Sequence, residues 1–339
     1  MITVELAEKG YMPTWLIRYG VRILVRKRLA AESEAHERKK DRIIEQLSSS
    51  PVAVDTDTAN RQHYEVPAEF YKIVLGRRLK YSCCYWPDGV TTLNEAEIAS
   101  LKQIAERAEL TDGQHILELG CGWGSFSLWA AETFPGSKIT SVSNSSGQKR
   151  YIEGQASKRG LHNLQVITAD MNWFTTDDRF DRVVSIEMFE HMRNYQELFT
   201  RIYSWLKQDA KMFVHVFSHR KVAYLFQDEK GDDWMARHFF TGGIMPSHDL
   251  LPLVCAPFAL ADQWQLSGTH YQKTAEAWLD NIDRNPEAVR VAMERIYGKK
   301  NAGIWTQRWR IFMISCAELF GYRKGEEWGV SHYLFSKRP

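Results

Sequence analysis

Residues 116–126 read ILELGCGWGSF, an apolar β-strand pattern joined to a helical pattern through Gly120, Gly122 and Gly124. A glycine-rich turn in this position lets backbone N–H groups approach a ligand closely at the helix N-terminus. In the dinucleotide fingerprint G-x-G-x-x-G, the third glycine comes one residue later. An acid, Glu118, also stands two residues before the first glycine. This E-x-G-x-G-x-G form is typical of S-adenosylmethionine (SAM) sites, and a tight turn without a ligand is the alternative.

Strand and helix patterns alternate from about residue 110 onward. The strand-like runs are HILEL (115–119), KITSVS (138–143), LQVIT (164–168), RVVSI (182–186) and KMFVHVF (211–217). Strands separated by helices predict right-handed crossovers and a parallel sheet covered on both faces. A mostly helical insertion then precedes the strand-like ALADQWQLS (259–267), two helical segments and a last strand, WGVSHYLFSK (328–337). An antiparallel last strand favours the α/β fold of class I, Rossmann-like SAM-dependent methyltransferases over a dehydrogenase fold.

Four segments are predicted along the chain. They are a helical N-terminal arm (1–60), a lid segment (61–110), a Rossmann-like SAM-binding core (111–220), and a substrate-binding insertion with the C-terminal strands that complete the sheet (221–339). The arm reads as helix over residues 11–47, with Arg18, Arg22 and Arg26 on one stripe. Such a helix either lies on a membrane or docks onto its own domain, and docking is favoured. A polar linker, residues 48–57, ends the arm.

Composition and charge narrow the classes of partner. Apolar residues make up 44% and charged residues 25% of the chain, as in soluble globular proteins. The net charge of +2 gives no global attraction to nucleic acid or to an anionic membrane, so neither partner is expected. The five cysteines form no C-x-x-C pair, so neither a disulfide framework nor a metal is expected. The polar start and the lack of an apolar run of ~18 residues predict a cytoplasmic protein, with monomer and homodimer both open.

Longer motifs carry a family resemblance from about His63 onward. The pattern Y-S-C-x-Y at Tyr81, the glycine loop, S-x-S-x-x-Q at Ser143 and M-F-E-H at Met188 resemble the cyclopropane fatty acid synthase superfamily of SAM-dependent methyltransferases. Within it, SIEMFEHMRNYQELF (185–199), DDWMARHFFTGGIMPS (232–247), THYQKTAEAWL (269–279) and AELFGYRKGEEWGVSHYLF (317–335) resemble the coclaurine N-methyltransferase-like branch. That branch methylates the ring nitrogen of benzylisoquinoline alkaloids. The resemblance implies SAM as cofactor, S-adenosylhomocysteine as product and a small, aryl-containing amine as acceptor.

The resemblance also implies a set of cofactor-binding residues. They are Tyr81, Ser82, Glu118, Gly120, Gly122, Asn144, Gln148, Asp170, Met171 and Ile186. The strand before Asn144 ends without the acid that most nucleotide folds use for ribose, and the family places Asn144 and Gln148 there. Asp170 follows the third strand, where it can accept a hydrogen bond from the adenine amino group, and a turn cap is the alternative.

Three residues after the fourth strand are the candidate catalytic groups. An aliphatic amine is mostly protonated at pH 7, so a base has to remove its proton before methyl transfer. If a helix begins here, Glu187, Glu190 and His191 share a face at i, i+3 and i+4. The carboxylates can then hold the ammonium, while the histidine, which titrates near neutrality, takes the proton. The alternative is that these groups cap a helix or pair with Arg193.

A lipid-modifying function is the second hypothesis. By resemblance, the cyclopropane synthases cradle a bicarbonate with groups that match Cys83, Glu190, His215 and Tyr271. Against this stands Glu187, because the synthases usually carry glycine there. A second buried carboxylate is costly unless a cation accompanies it, and an amine substrate supplies that cation. N-methylation is therefore favoured, and a non-catalytic SAM-binding protein is a third, weaker reading.

Aromatic residues after the fifth strand are expected to form the acceptor pocket, since flat rings suit an aryl substrate and a cationic product. The predicted substrate-binding residues are Phe240, Tyr271 and Trp328.

Overall fold

The computed structural model describes residues 2–34, 36–54, 66–228 and 233–337. The α-helices are α1 (Ile2–Glu8), α2 (Thr14–Ser33), α3 (His36–Ser48), α4 (Ala68–Val74), α5 (Leu93–Arg107), α6 (Ser125–Thr133), α7 (Ser146–Lys158), α8 (Tyr195–Trp205), α9 (Trp234–His238), α10 (Leu250–Val254), α11 (Gly268–Arg284), α12 (Pro286–Tyr297) and α13 (Lys299–Phe320). The strands are β1 (His115–Leu119), β2 (Lys138–Ser143), β3 (Leu164–Thr168), β4 (Phe180–Ile186), β5 (Leu206–His219), β6 (Tyr224–Leu225), β7 (Ile244–Met245), β8 (Phe258–Leu266) and β9 (Trp328–Lys337).

One seven-stranded sheet organises the chain, in the order β3-β2-β1-β4-β5-β9-β8. Strands β1 to β5 are parallel, whereas β9 runs antiparallel to both β5 and β8. The predicted α/β class with an antiparallel last strand is confirmed. The strand order reverses between β1 and β4, and in open α/β sheets ligands bind at the carboxyl ends of the strands beside such a reversal. The predicted segment boundaries near residues 60, 110 and 220 stay predictions.

The described part of the N-terminal arm contains three helices, and residues 11–47 are divided between α2 and α3, so the prediction of helix throughout 11–47 is wrong. Helix α2 ends where Glu34 adopts an extended backbone (φ −69°, ψ 119°). Arg18 bonds both Glu276 and Glu318, at 2.6 and 2.9 Å, and Arg22 also bonds Glu318. These acids lie on α11 and α13, so this basic stripe docks onto the chain's own helices. Within the described residues, no helix has both the length and the apolar character needed to cross a membrane.

The stretch between β5 and β8 is less helical than predicted. It contains the short helices α9 and α10, of five residues each, and the two-stranded ribbon β6–β7. The long helices come later, between β8 and β9, where α11, α12 and α13 pack with one another and around the buried Trp278 and Trp309. These three helices supply apolar side chains to a second hydrophobic core, together with α2, α4 and β9.

Candidate active site

A cavity opens at the carboxyl ends of β1, β2 and β4, beside the reversal in strand order. The cavity is partly enclosed and partly open to solvent. All ten predicted cofactor-binding residues line it: Tyr81, Ser82, Glu118, Gly120, Gly122, Asn144, Gln148, Asp170, Met171 and Ile186.

The glycine loop leaves room that a side chain would fill. Gly122 has a φ of +50°, and a Cβ built on it meets no atom within 4 Å, so it would project into the cavity. Beside it, Ser125 is the first residue of α6 and lines the cavity. Its hydroxyl is buried and has no hydrogen-bond partner among the described residues. A helix N-terminus and an unused hydroxyl favour an anionic ligand group. These residues fit the carboxylate end of SAM.

Glu118 is buried beneath the loop and accepts hydrogen bonds from the Ser127 and Ser141 hydroxyls. Burial raises the pKa of Glu118 to about 7, although these two donors pull it in the other direction. Its carboxyl group can therefore exist in either protonation state at neutral pH. On β2, the Ser143 hydroxyl donates to the Gln148 side-chain oxygen at 2.6 Å, which fixes the amide at the cavity wall.

The lid segment is held by one buried carboxylate. Glu97 of α5 accepts hydrogen bonds from the backbone N–H groups of Gly76, Arg78 and Lys80. The loop therefore turns inward, and Lys80 is almost fully buried at the cavity, with its ammonium donating to the Ser82 hydroxyl and the Cys83 carbonyl, each at 2.6 Å. Sequence reasoning missed this cation, although it directly precedes the Y-S-C motif. Residues 61–65 of the predicted lid lie outside the described residues.

Glu187 is the centre of a converging set of donors. It leaves β4 with a left-handed backbone (φ +49°), while its N–H still bonds the His215 carbonyl at 2.8 Å. One carboxylate oxygen accepts from the Cys83 N–H at 2.8 Å and lies 3.2 Å from His215 Nε2. The other accepts from the Tyr271 hydroxyl at 2.7 Å. Burial raises the pKa of Glu187, and the Lys80 charge and these donors act against that rise.

The donor set continues away from the cavity through a second histidine. His215 Nδ1 lies 2.8 Å from His332 Nε2, and His332 Nδ1 lies 2.7 Å from an Arg107 guanidinium nitrogen. His215 on β5 and His332 on β9 are direct partners in the antiparallel ladder, so the sheet register sets their distance. Burial lowers the pKa of both rings well below the ordinary range, and Arg107 adds to this effect.

The expectation that Glu187, Glu190 and His191 share a helix face is wrong. Only residues 189–191 are helical, in a single 3₁₀ turn that follows the left-handed Glu187. Glu190 consequently points away from the cavity and is fully buried, where it accepts from the Phe217 N–H at 2.7 Å. Burial and the neighbouring Glu187 charge raise the pKa of Glu190 well above its ordinary range. Because Glu190 does not line the cavity, it is not placed to act as a second anion for the substrate.

His191 and the aromatic residues form the rest of the wall. His191 and Phe240 line the cavity together, with their ring centroids 4.8 Å apart. Tyr271 also lines it. Trp328 does not: it is fully buried, and its indole N–H donates to the Tyr224 hydroxyl at 3.2 Å. The prediction that Trp328 contacts the substrate is therefore wrong, because β9 directs this side chain into the second core.

Several lining residues were not predicted. They are chiefly apolar and include Ala53, Val54, Trp123, Met188, Met192, Phe217, Trp278 and Phe312. The pair Ala53 and Val54 comes from the predicted linker, where Ala53 bridges to Met192 and accepts and donates hydrogen bonds with the Asn172 side chain. The apolar sequence Val52–Val54 inside a polar stretch was the available signal.

Comparison with known proteins agrees with this geometry. Residues 54–327 match the profile of the family described as "Mycolic acid cyclopropane synthetase". The chain belongs to this family. It is 37% identical to the (S)-coclaurine N-methyltransferase of Thalictrum flavum subsp. glaucum, over 99% of this chain and 96% of that protein. It is 26% identical to the cyclopropane-fatty-acyl-phospholipid synthase of Escherichia coli (strain K12), over 80% of this chain and 66% of that protein.

A solved structure resembles this chain over nearly its whole length. Coclaurine N-methyltransferase bound to N-methylheliamine and S-adenosylhomocysteine matches with a TM-score of 0.95 and 35% identity, over 99% of both chains. The predicted resemblance, enzyme class and cofactor are thereby confirmed: the chain is a SAM-dependent methyltransferase. The individual roles of the site residues stay predictions.

Proposed function

We propose that this methyltransferase transfers the methyl group of SAM to the nitrogen of a small, aryl-containing amine resembling coclaurine. The observation that carries the proposal is the position of the Glu187 carboxylate. By resemblance, four positions match the bicarbonate cradle of the cyclopropane synthases. Three of them direct hydrogen bonds at this carboxylate, namely Cys83, His215 and Tyr271. The anion at this place is thus part of the chain, and the cradle has no remaining capacity for bicarbonate.

An ammonium group complements this arrangement. A buried carboxylate is destabilised by desolvation, and a bound cation within ~4 Å offsets that cost by several kcal/mol. Lys80 is the nearby cation among the described residues, but its ammonium donates to Ser82 and Cys83. The aromatic rings of Phe217, Phe240 and Phe312 line the same cavity, and such faces attract both aryl groups and alkylated nitrogen.

The chemistry requires little beyond orientation and removal of one proton. When bound, SAM supplies an electrophilic methyl group on sulfonium sulfur. Glu187 holds the ammonium by charge and orients its nitrogen toward the cofactor part of the cavity. His191, at the cavity wall beside Phe240, takes the proton as the amine becomes neutral and passes it to solvent. The nitrogen lone pair is then free for an in-line attack on the methyl carbon.

The proposal extends to location and partners. A cytoplasmic enzyme acting on a small-molecule amine, without nucleic acid as substrate, fits the low net charge and the enclosed aromatic cavity. Relatives named for alkaloid methylation support an alkaloid-like acceptor.

The test is a panel assay with methyl-labelled SAM. Secondary and tertiary arylalkylamines form one arm, and unsaturated phospholipid vesicles form the other, each with and without added bicarbonate. We expect methylation of amines that bicarbonate does not change. The matched variant Glu187→Gly reopens the cradle and should lose most amine turnover. Methylene transfer to phospholipid by the unmodified enzyme, stimulated by bicarbonate and without amine turnover, would overturn the proposal.

A further inference from the structure

A hydrogen-bond chain runs from Arg107 through His332 and His215 to Glu187, and each of its hydrogen bonds has a fixed direction. A guanidinium can only donate, so His332 Nδ1, 2.7 Å from Arg107, must be an unprotonated acceptor. His332 then carries its proton on Nε2 and donates it to His215 Nδ1 at 2.8 Å. By the same step, His215 carries its proton on Nε2 and donates it to Glu187. Each proton position follows from the one before it, beginning at Arg107.

This direction excludes a positive charge on either ring. A doubly protonated His332 would place an N–H against the Arg107 guanidinium, and a doubly protonated His215 would place an N–H against that of His332. Both rings are almost fully buried, which adds a desolvation penalty for the charged form. His215 therefore cannot accept the proton of a substrate ammonium, although it lies beside Glu187.

We infer that Arg107 is a positioning residue of the catalytic centre, which acts through His332 and His215 to keep Glu187 oriented and negatively charged. With both rings neutral, no internal cation on this side neutralises the carboxylate. The negative charge of Glu187 then stays available for the substrate. The catalytic part of this inference rests on the proposed function, whereas the tautomers of the two rings do not.

Arg107 is itself set firmly in place at the outer end of the chain. It ends α5, whose first turn is closed by a reciprocal Thr92–Glu95 capping box. Its guanidinium lies over the Trp264 ring of β8, 4.9 Å from the centroid, and such stacking restricts its rotation. Trp264 is also the ladder partner of His332 across β8 and β9, so the stacking ring and the acceptor ring are held by one pair of strands.

Other ionisable groups face this chain and must be considered in any pH profile. The groups beside Arg107 are Tyr85 from the lid, Glu106 from α5 and Asp262 from β8. Those beside the inner histidine and Glu187 are Lys80, Cys83, Cys84, Glu190, Tyr271 and Cys316. The acids at the outer end are on the surface and remain in Arg107→Met, so a change in that variant reports the guanidinium alone.

The experiment combines a tautomer measurement with kinetics. Histidine-labelled protein, without substrate, is studied by ¹H–¹⁵N NMR, with His215→Asn and His332→Asn used to assign the signals. Two neutral rings protonated on Nε2 between pH 6 and 9 are expected, and Arg107→Met should abolish that pattern. For kcat/KM on the selected amine, Arg107→Met should lose about tenfold at pH 6.5, as expected for one charge-assisted hydrogen bond, and less at pH 8.5. Arg107→Lys, which keeps a donor, should restore part of the activity.

Two controls separate positioning from stability. Arg182→Met removes a neighbouring arginine that bonds the Ala108 carbonyl and Glu109 and takes no part in the hydrogen-bond chain. This variant should leave the pH profile unchanged. In Arg107→Met/His332→Leu the two losses should not add, because Arg107 acts through His332. An Nδ1-protonated or cationic ring in the unmodified protein overturns the inference even if amines are methylated. An absence of amine turnover with the expected tautomers overturns the proposed function instead.

Discussion

Replacing Glu187 by glutamine removes one negative charge from the wall of the cavity and keeps the shape of the side chain. Glu187 accepts from three donors, the Cys83 N–H, His215 Nε2 and the Tyr271 hydroxyl. An amide has one acceptor oxygen, so its NH₂ group must face at least one of these donors. A lost hydrogen bond to a charged acceptor is worth ~1.5–3 kcal/mol. The missing attraction for an ammonium at ~4 Å adds up to about 4 kcal/mol at an effective dielectric constant near 20.

These contributions overlap, and a loss of roughly 10²–10⁴-fold in kcat/KM at pH 7.5 is expected, within the range for removal of a general base or its partner. The pH dependence has a definite sign. As pH rises toward the pKa of the amine, neutral amine becomes available from solution and the deficit should shrink. As pH falls through the raised pKa of Glu187, this carboxylate becomes protonated in the unmodified enzyme. The rates of the unmodified enzyme and of Glu187→Gln should therefore also approach each other at low pH.

The assay is the pH–rate profile of both proteins on one amine between pH 5 and 10. Thermal unfolding provides the folding control. A carboxyl group with a raised pKa binds its proton more tightly in the folded state, so its contribution to stability falls as pH rises. Glu187→Gln without ligands should therefore be at least as stable as the unmodified protein at pH 8. A deficit that stays constant from pH 7 to 10 would refute the charge argument and leave Glu187 as an orienting residue.

Three further predictions follow from the cavity. Gly122→Val should abolish SAM binding in calorimetry, because the valine side chain enters the cavity. The control Gly113→Val also changes a glycine with positive φ and open surroundings, and it should bind SAM normally. Equal affinities of the two variants would show that the glycine loop is not part of the site. The stability that Glu118 contributes decreases as pH rises from the ordinary pKa of a glutamate to about 7. The melting temperature of the ligand-free protein should therefore fall less between pH 5 and 8 in Glu118→Gln than in the unmodified protein. The same fall in both proteins would contradict this prediction. Phe240→Ala should raise KM for the amine, while Trp328→Phe should lower thermal stability and leave KM unchanged; a raised KM in Trp328→Phe would return that residue to the substrate wall.

The part of the cavity wall proposed to hold the cofactor could be predicted because its residues follow directly from strand ends. A parallel sheet brings the carboxyl ends of β1, β2 and β4 to one edge, so motifs at Gly120, Asn144 and Ile186 had to meet. Local sequence fixes each of these positions. The resemblance to a known family added Tyr81 and Ser82, which the strand pattern alone does not place.

The part of the wall proposed to bind the acceptor depends on geometry that local sequence does not encode. Glu190 was misplaced because the residues after β4 form a 3₁₀ turn after a left-handed Glu187, and i, i+3, i+4 reasoning applies only to an α-helix. The contact between His215 and His332 depends on the register of two strands 117 residues apart in sequence. No periodicity reports that register, so neither His332 nor Arg107 could be identified as a neighbour of Glu187.

The position of β9 also determines the order in which the enzyme can assemble. Strand β8 is synthesised before β9, yet in the sheet it is bonded only to β9, which lies between β8 and β5. During synthesis β8 therefore has no strand to join until the chain has continued through α11, α12 and α13. Such non-local pairing slows folding and leaves an edge exposed in the meantime. Because β9 carries His332, the nascent chain completes its outer strand and its proposed catalytic centre in the same late event.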